Sequence, residues 1–223
     1  MFIANFMTTP ARTITPDTLL PEARALMSQG HFRHLPVVDG EGHLIGIVTD
    51  RDLRSALPTG LMDEQNHQDF LKRFETMPIK AVMTEATANL PAEATLDDAL
   101  LLFDRTKVGG LPVVDCERKV VGILSVRDLL TAYRQLFGLD GKGSALVGVV
   151  DDGKPGVLTR LCEVLETNQI PFTRLLRTNQ NDQGKGLIYV RVHTFNISGV
   201  HQTLAAAGFV PATPAITRKE KDA

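Results

Sequence analysis

Two short stretches place groups suited to a phosphorylated ligand at matching positions. "TDRD" at 49–52 supplies Thr49, Arg51 and Asp52, and "SVRD" at 125–128 supplies Ser125, Arg127 and Asp128. A hydroxyl can donate to a phosphate oxygen, a guanidinium can neutralise it, and a carboxylate can accept from two vicinal ribose hydroxyls. Each stretch follows a β-branched run and precedes an apolar helical pattern, so these groups sit where a strand turns into a helix. Free backbone N–H groups at a helix start favour anions. The same Thr-x-x-Asp or Ser-x-x-Asp spacing is also a helix capping box, which satisfies those N–H groups without any ligand. Both readings stand at this point, and capping can coexist with binding.

The elements that must position these groups are themselves duplicated. "LPVVD" occurs at Leu35 and again at Leu111, and Pro36 and Pro112 lie 76 positions apart (112 − 36). That offset also aligns Met7-Thr8 with Met83-Thr84, Leu20 with Leu96, Ala23 with Ala99, Gly46-Ile47 with Gly122-Ile123, and Arg51-Asp52-Leu53 with Arg127-Asp128-Leu129. A fixed register carrying glycines, charges and the hydrophobic pattern marks a repeated structural unit. Each copy reads as an extended stretch ("TIT" at Thr13, "ANLP" at Ala88), a helix, a hairpin and a second helix beginning near Asp52 or Asp128. Leu20, Ala23, Leu26 and Met27, and Leu96, Ala99, Leu102 and Phe103, recur at helical spacing. Gly30 suits a left-handed end to the first helix, and Thr95 with Asp98 suits a cap on its counterpart. One copy buries too little surface alone, so the two are expected to pack as one pseudo-twofold core. The "LPVV" strands would supply backbone groups and an apolar wall to a base.

The paired "LPVVD…GIVTDRDL" and "LPVVD…GILSVRDL" units resemble a tandem pair of CBS motifs, a Bateman module, over roughly residues 1 to 137. The resemblance implies clefts between the motifs that bind adenosine-containing ligands (AMP, ADP or ATP, with NAD or S-adenosylmethionine as further members). It also implies regulation of another protein. Carried over by position, the nucleotide-binding set is Thr13, His34, Pro36, Thr49, Arg51 and Asp52 from one copy. The other copy supplies Asn89, Gly110, Pro112, Ser125, Arg127 and Asp128. The copies depart from each other at Arg33-His34 against Gly109-Gly110 and at Asp50 against Val126, so equal affinity of the two clefts is not expected.

After a glycine-rich linker, "GLDGKGS" from Gly138, the repeat stops and a new domain begins. Its pattern reads βαββαβ: a strand in "ALVGVVDD", a helix in "KPGVLTRLCEVLETNQ" with Pro155 in its first turn, strands in "PFTRLLRT" and "GLIYVRVHT", a helix in "SGVHQTLAAAG", and a last short strand in "FVPAT". That is a ferredoxin-like order. The segment "DDGKPGVLTRL" resembles the start of an ACT domain. That resemblance implies dimerisation and an amino-acid site near Asp151, Gly153, Pro155 and Gly156; the bland alternative is that these residues only shape the turn.

The expected fold class is therefore α/β (α+β), a pseudo-twofold CBS pair followed by a ferredoxin-like ACT domain. The expected boundaries are 1–76 for the first motif with a linker helix, 77–137 for the second, 138–143 for a linker, 144–215 for the ACT domain and 216–223 for a charged tail. A CBS pair with one ACT domain resembles the acetoin-utilisation family of bacterial CBS-ACT proteins.

Composition narrows the function classes. The chain has 223 residues, is 43% hydrophobic and carries a formal net charge of −2 with its charges interspersed. This suits a globular protein with no broad electrostatic reason to meet nucleic acid or a membrane surface. The first residues lack the pattern of a signal peptide and no apolar run spans a bilayer, so a cytoplasmic location is expected. Cys116 and Cys162 stand apart and read as packing residues without a disulfide. His31 and His34 lack companions for a metal site, and "GKGS" lacks the spacing of a phosphate loop. No nucleophile or metal-hydrolase motif appears, which points to a non-enzyme whose partners are a small-molecule nucleotide, an amino acid, a second copy and an unidentified regulated protein. Two alternatives stay open: an assembly protein with unoccupied clefts, and an enzyme of acetoin metabolism.

Overall fold

The computed structural model describes residues 1–56, 73–85, 88–178 and 186–212. The first copy contributes α1 (Leu20–Gly30), β1 (His34–Val38), β2 (Leu44–Thr49) and α2 (Asp50–Ser55). The second contributes β3 (Thr84–Glu85), β4 (Leu90–Pro91), α3 (Leu96–Thr106), β5 (Gly110–Val114), β6 (Val120–Ser125) and α4 (Val126–Leu136). In both hairpins the prolines pair with equivalent isoleucines, Pro36 with Ile47 and Pro112 with Ile123. The register slips at the same step, Val37/Val38 and Val113/Val114. Ile14 bridges Val37 in parallel as β4 pairs with β5, so each copy has the expected order. The linker helix expected before residue 76 lies largely in 57–72, outside the described residues.

Side chains buried in one copy have buried counterparts in the other: Leu20 and Leu96, Leu35 and Leu111, Val37 and Val113, Val48 and Leu124, Leu53 and Leu129. Alternation along a strand and the three-to-four spacing along a helix put these residues on one face, as the pattern required. Two local expectations change. α1 ends with His31, not Gly30, in the left-handed region (φ 53°). Gly30 is needed for space, because a Cβ there would stand 1.8 Å from the Phe32 ring. The helices after the hairpins start at Asp50 and Val126, two residues earlier than expected.

The copies are joined by reciprocal exchange of their leading segments. Thr8 pairs with Ile123 of β6 through Thr8 N–H to Ile123 O (2.9 Å) and the return bond (3.0 Å). β3, the equivalent segment, pairs with Gly46 and Ile47 of β2. A turn at Ile3–Asn5 docks on the start of α3, with Ile3 N–H donating to Ala94 O at 3.0 Å; Ile79 N–H donates to Thr18 O at 2.8 Å in the mirror contact. The hairpin tips also meet, through Leu44 N–H to Arg118 O and Val120 N–H to Gly42 O. This exchange explains the repeated glycine: a Cβ at Gly46 would lie 2.8 Å from Thr84 O, and one at Gly122 would lie 2.7 Å from Met7 Sδ and 3.0 Å from Thr8 O.

The chain divides into two compact units between Ala132 and Tyr133, inside α4, whereas the sequence placed a linker at 138–143. In the second unit, β7 (Ser144–Asp151), α5 (Val157–Thr167), β8 (Phe172–Arg177), β9 (Gly186–His193) and α6 (Ile197–Ala206) follow in order. The antiparallel sheet runs β7-β9-β8, with Val147, Val149, Ile188, Val190 and Val192 packed against Leu161, Leu165, Val200 and Leu204. The expected last strand is a single bridge, Val149 with Pro211. Pro155 precedes α5 instead of lying in its first turn, because Gly156 forms the N-cap with φ 75°. Cys162 is half-buried as expected of packing, but Cys116, at the tip of the second hairpin, is exposed. The charged tail falls outside the described residues.

The Asp151 side chain is buried and accepts from Gly153 N–H (2.9 Å) and Arg177 Nε. The Arg177 hydrogen bond, then the Gly153 N–H, hold this carboxyl below the usual aspartate range. A depressed carboxylate stabilises the fold above its unfolded pKa, and that contribution is lost as pH falls through the folded value. Asp151→Asn should therefore lower the melting temperature at neutral pH and flatten the acid limb of the stability profile; an unchanged acid limb contradicts this role. Gly46→Val and Gly122→Val should each destabilise the first unit by roughly 1–3 kcal/mol in urea unfolding through overpacking. Wild-type midpoints would contradict the strand exchange.

Candidate functional site

The strand exchange makes a cleft with walls from both copies. Thr8, Pro10 and Arg12 come from the leading segment, residues 30–34 from the turn between α1 and β1, and Gly109, Ile123, Ser125, Arg127 and Asp128 from the second copy. Its cavity measures about 740 Å³, within the range of small-molecule sites. Phe32, Pro10 and Ile123 offer apolar surface; Arg12, Arg33, Arg127 and Asp128 carry the formal charges, with His31 and His34 beside them.

At its floor, Ser125 and Asp128 form a reciprocal cap. Ser125 N–H and Oγ–H donate to Asp128 Oδ2 at 2.8 and 2.7 Å, and Asp128 N–H donates to Ser125 Oγ at 3.2 Å. Such a cap contributes about 1 kcal/mol and fixes the carboxylate. Its Oδ1 takes no hydrogen bond among the described residues, which leaves one oriented acceptor in the cleft. The Ser125 hydroxyl proton is engaged with Asp128, so the groups free to meet an anion are the guanidiniums. Thr49 and Asp52 repeat the arrangement with bonds of 2.8, 2.7 and 3.3 Å.

His34 crosses between the copies. A Cβ at Gly109 would stand 2.9 Å from His34 Nε2, and one at Gly110 would stand 2.9 Å from His34 Cγ. The glycine pair is thus the space that the histidine fills. Burial, reinforced by Arg33 and opposed by Asp52, holds the imidazole below its ordinary pKa, so it is neutral at neutral pH.

Of the residues expected from the sequence, His34, Ser125, Arg127 and Asp128 share this cleft. Thr49, Arg51 and Asp52 gather at the equivalent junction of the first copy. Pro36 and Pro112 are buried mid-strand, Gly110 lies beneath His34, and Thr13 and Asn89 are half-buried outside this cavity's lining. Arg12, His31, Phe32 and Arg33 line the cleft and were missed as ligand residues. The comparison of the two copies already held a signal for them, since the 76-residue offset sets Arg12 against Ala88 and Arg33 against Gly109.

In the second unit, Asp151 is engaged by Gly153 and Arg177. Positive φ at Gly153 (70°) and Gly156 (75°) shapes the loop, and Pro155 lies between them. A groove of about 440 Å³ between α5 and α6 is lined by residues such as Glu163, Asn168 and Thr203, not by this loop. Among the described residues no helix is long and apolar enough to cross a membrane, and no group of His, Cys, Asp and Glu is placed to hold a metal.

Comparison with known proteins agrees with this architecture. The chain is 32% identical over 130 residues to a CBS domain-containing protein of Dictyostelium discoideum, covering 58% of this chain and 89% of that one. It is 36% identical over 119 residues to inosine-5'-monophosphate dehydrogenase of Aquifex aeolicus, covering 53% of this chain and only 21% of the dehydrogenase. Among solved structures, CBSX2 in complex with AMP is 28% identical with a TM-score of 0.51, covering 60% of this chain and 97% of that chain. The CBS domain pair of protein MJ0100, in complex with 5'-methylthioadenosine and S-adenosylmethionine, is 25% identical with a TM-score of 0.51, covering 61% and 98%. AcuB from Vibrio cholerae is 28% identical with a TM-score of 0.52, covering 62% and 94%. The CBS domain family model matches residues 3–59 and 79–135, in register with the two copies, and the chain belongs to the CBS-domain family.

Proposed function

We propose that this chain is a non-catalytic sensor whose CBS clefts bind an adenosine-containing ligand and whose C-terminal unit is an ACT-like domain that pairs two copies. The observation that carries the reading is the cleft in which Asp128 is held with one carboxylate oxygen unbonded among the described residues, beside Arg127 and an apolar wall. The carboxylate would take the ribose hydroxyls, the guanidinium a phosphate, and Phe32 and Ile123 the base. Relatives solved with AMP or with S-adenosylmethionine support this class of ligand. Occupancy changes the output only by binding one arrangement of the dimer better than another.

For the C-terminal unit, the face of the sheet away from the helices exposes Leu146 and Leu176, at 48% and 40%. Apolar side chains on an open sheet face favour pairing with a second copy. The self-satisfied capping boxes favour a second reading, an assembly protein with unfilled clefts, and ligand binding separates the two.

AMP, ADP, ATP, NAD and S-adenosylmethionine should be screened by thermal unfolding. At about 100 times its dissociation constant, a true ligand adds about 2.7 kcal/mol of stability. Asp128→Ala should lower the stability of the free protein by about 1 kcal/mol through the lost cap and abolish most of the ligand increment measured from its own baseline. No increment with any of the five would favour the assembly reading; amino acids added to the same screen test the loop at Asp151 to Gly156. Light scattering should give a dimer that Leu146→Asp with Leu176→Asp converts to monomer, and a dimer that survives both changes would place the contact elsewhere.

A further inference from the structure

The charges that line the cleft at Ser125 and Asp128 bear on what it can hold. The cleft at Ser125 and Asp128 presents three guanidinium groups, Arg12, Arg33 and Arg127, each from a different segment. All three residues are exposed, and none of these side chains forms an ion pair with a carboxylate among the described residues. Among the described residues, Asp128 is the one acidic residue lining the cavity. At the positions related by the 76-residue offset, Arg12 becomes Ala88, Arg33 and Gly109 exchange places and Arg127 becomes Arg51, so Arg12 is the arginine that the equivalent cleft lacks. Three uncompensated cations around a cavity of about 740 Å³ exceed what a single phosphate needs. They match a chain of phosphates, whose charge grows with length and whose oxygens suit the planar fork of arginine.

We infer that the cleft at Ser125 and Asp128 selects a nucleoside polyphosphate over the monophosphate, with Arg12 and Arg33 as the residues that read the additional phosphates. The inference rests on the reading of this cleft as an adenosine-ligand site, adds two binding residues to it and narrows its ligand class. Arg127, next to the capped carboxylate, is placed for the phosphate nearest the ribose. Arg12 and Arg33 line the same cavity from the leading segment and the turn before β1. Gly109 keeps that cavity open: its counterpart is Arg33, and His34 already fills the space where a larger side chain would stand.

Calorimetric titration of the full chain with ATP, ADP, AMP, adenosine and inorganic tripolyphosphate tests this, in wild type, in Asp52→Ala, and in Arg12→Ala and Arg33→Ala each made in the Asp52→Ala background. Asp52→Ala weakens the equivalent cleft, so the heats report on the one at Asp128. There ATP should bind at least tenfold more tightly than AMP. Arg12→Ala and Arg33→Ala should each weaken ATP about tenfold or more, while AMP and adenosine change less than twofold and the melting temperature of the free variants stays at the Asp52→Ala value. The ATP preference should shrink as salt rises. Equal affinity for ATP and AMP, or an equal loss for adenosine and ATP in the arginine variants, overturns the inference and leaves the adenosine reading intact. Tripolyphosphate binding as tightly as ATP overturns the nucleoside part. Absence of binding by every adenosine compound overturns both.

Discussion

The contact on which the rest of the first unit depends is the pairing of each copy's leading segment with the other copy's hairpin: Thr8 on Ile123, and β3 on Gly46 and Ile47. An isolated three-stranded unit of about 60 residues buries too little apolar surface to be stable alone. Exchanging the leading segments turns two marginal units into one core and satisfies backbone groups along hairpin edges that would otherwise be open. The same exchange carries Pro10 and Arg12 to the far side of the molecule's pseudo-twofold, where they wall a cleft whose floor belongs to the second copy. Site and stability thus come from one arrangement, and a glycine in each hairpin is the condition for it.

Duplication alone would give two equal clefts. The symmetry breaks where the equivalent positions 34 and 110 approach one another, because the space there accommodates one imidazole against a glycine backbone. Once His34 fills it, residues 109 and 110 have no room for side chains, and the position equivalent to Arg33 loses its charge. Arg33 and Gly109 exchange places between the clefts, so the electrostatic difference between them comes from the leading segments, Arg12 in one and Ala88 in the other. The lowered pKa of His34 follows from the same burial and keeps this contact uncharged at neutral pH.

Much of this was legible in the sequence. The 76-residue register gave the duplication, the element order and the junctions at Thr49 to Asp52 and Ser125 to Asp128, since hydrophobic period and capping spacing are local properties. It did not give the exchange, because a strand's partner depends on tertiary packing, and so it could not place Arg12 beside Arg127, 115 positions away (127 − 12). Pro36 and Pro112 are buried strand residues, so their repetition reported the core, while Gly110 lies beneath His34. In the second unit the strands and helices followed from periodicity, whereas the start of α5 moved past Pro155 because the backbone at Gly156 adopts a conformation that residue type alone did not dictate. Among the described residues the closing "FVPAT" reduced to one bridge, of Pro211 with Val149 at the edge of β7.

The central claim is that the cleft at Ser125 and Asp128 is a ligand site and not only a well-capped helix start. A crystal structure of the full chain grown with ATP tests it most directly. The account predicts density in this cleft, with ribose hydroxyls on Asp128 Oδ1 and the phosphates among Arg12, Arg33 and Arg127. A fully resolved protein with that cleft empty at saturating ATP, or with the nucleotide bound away from Asp128, would contradict it.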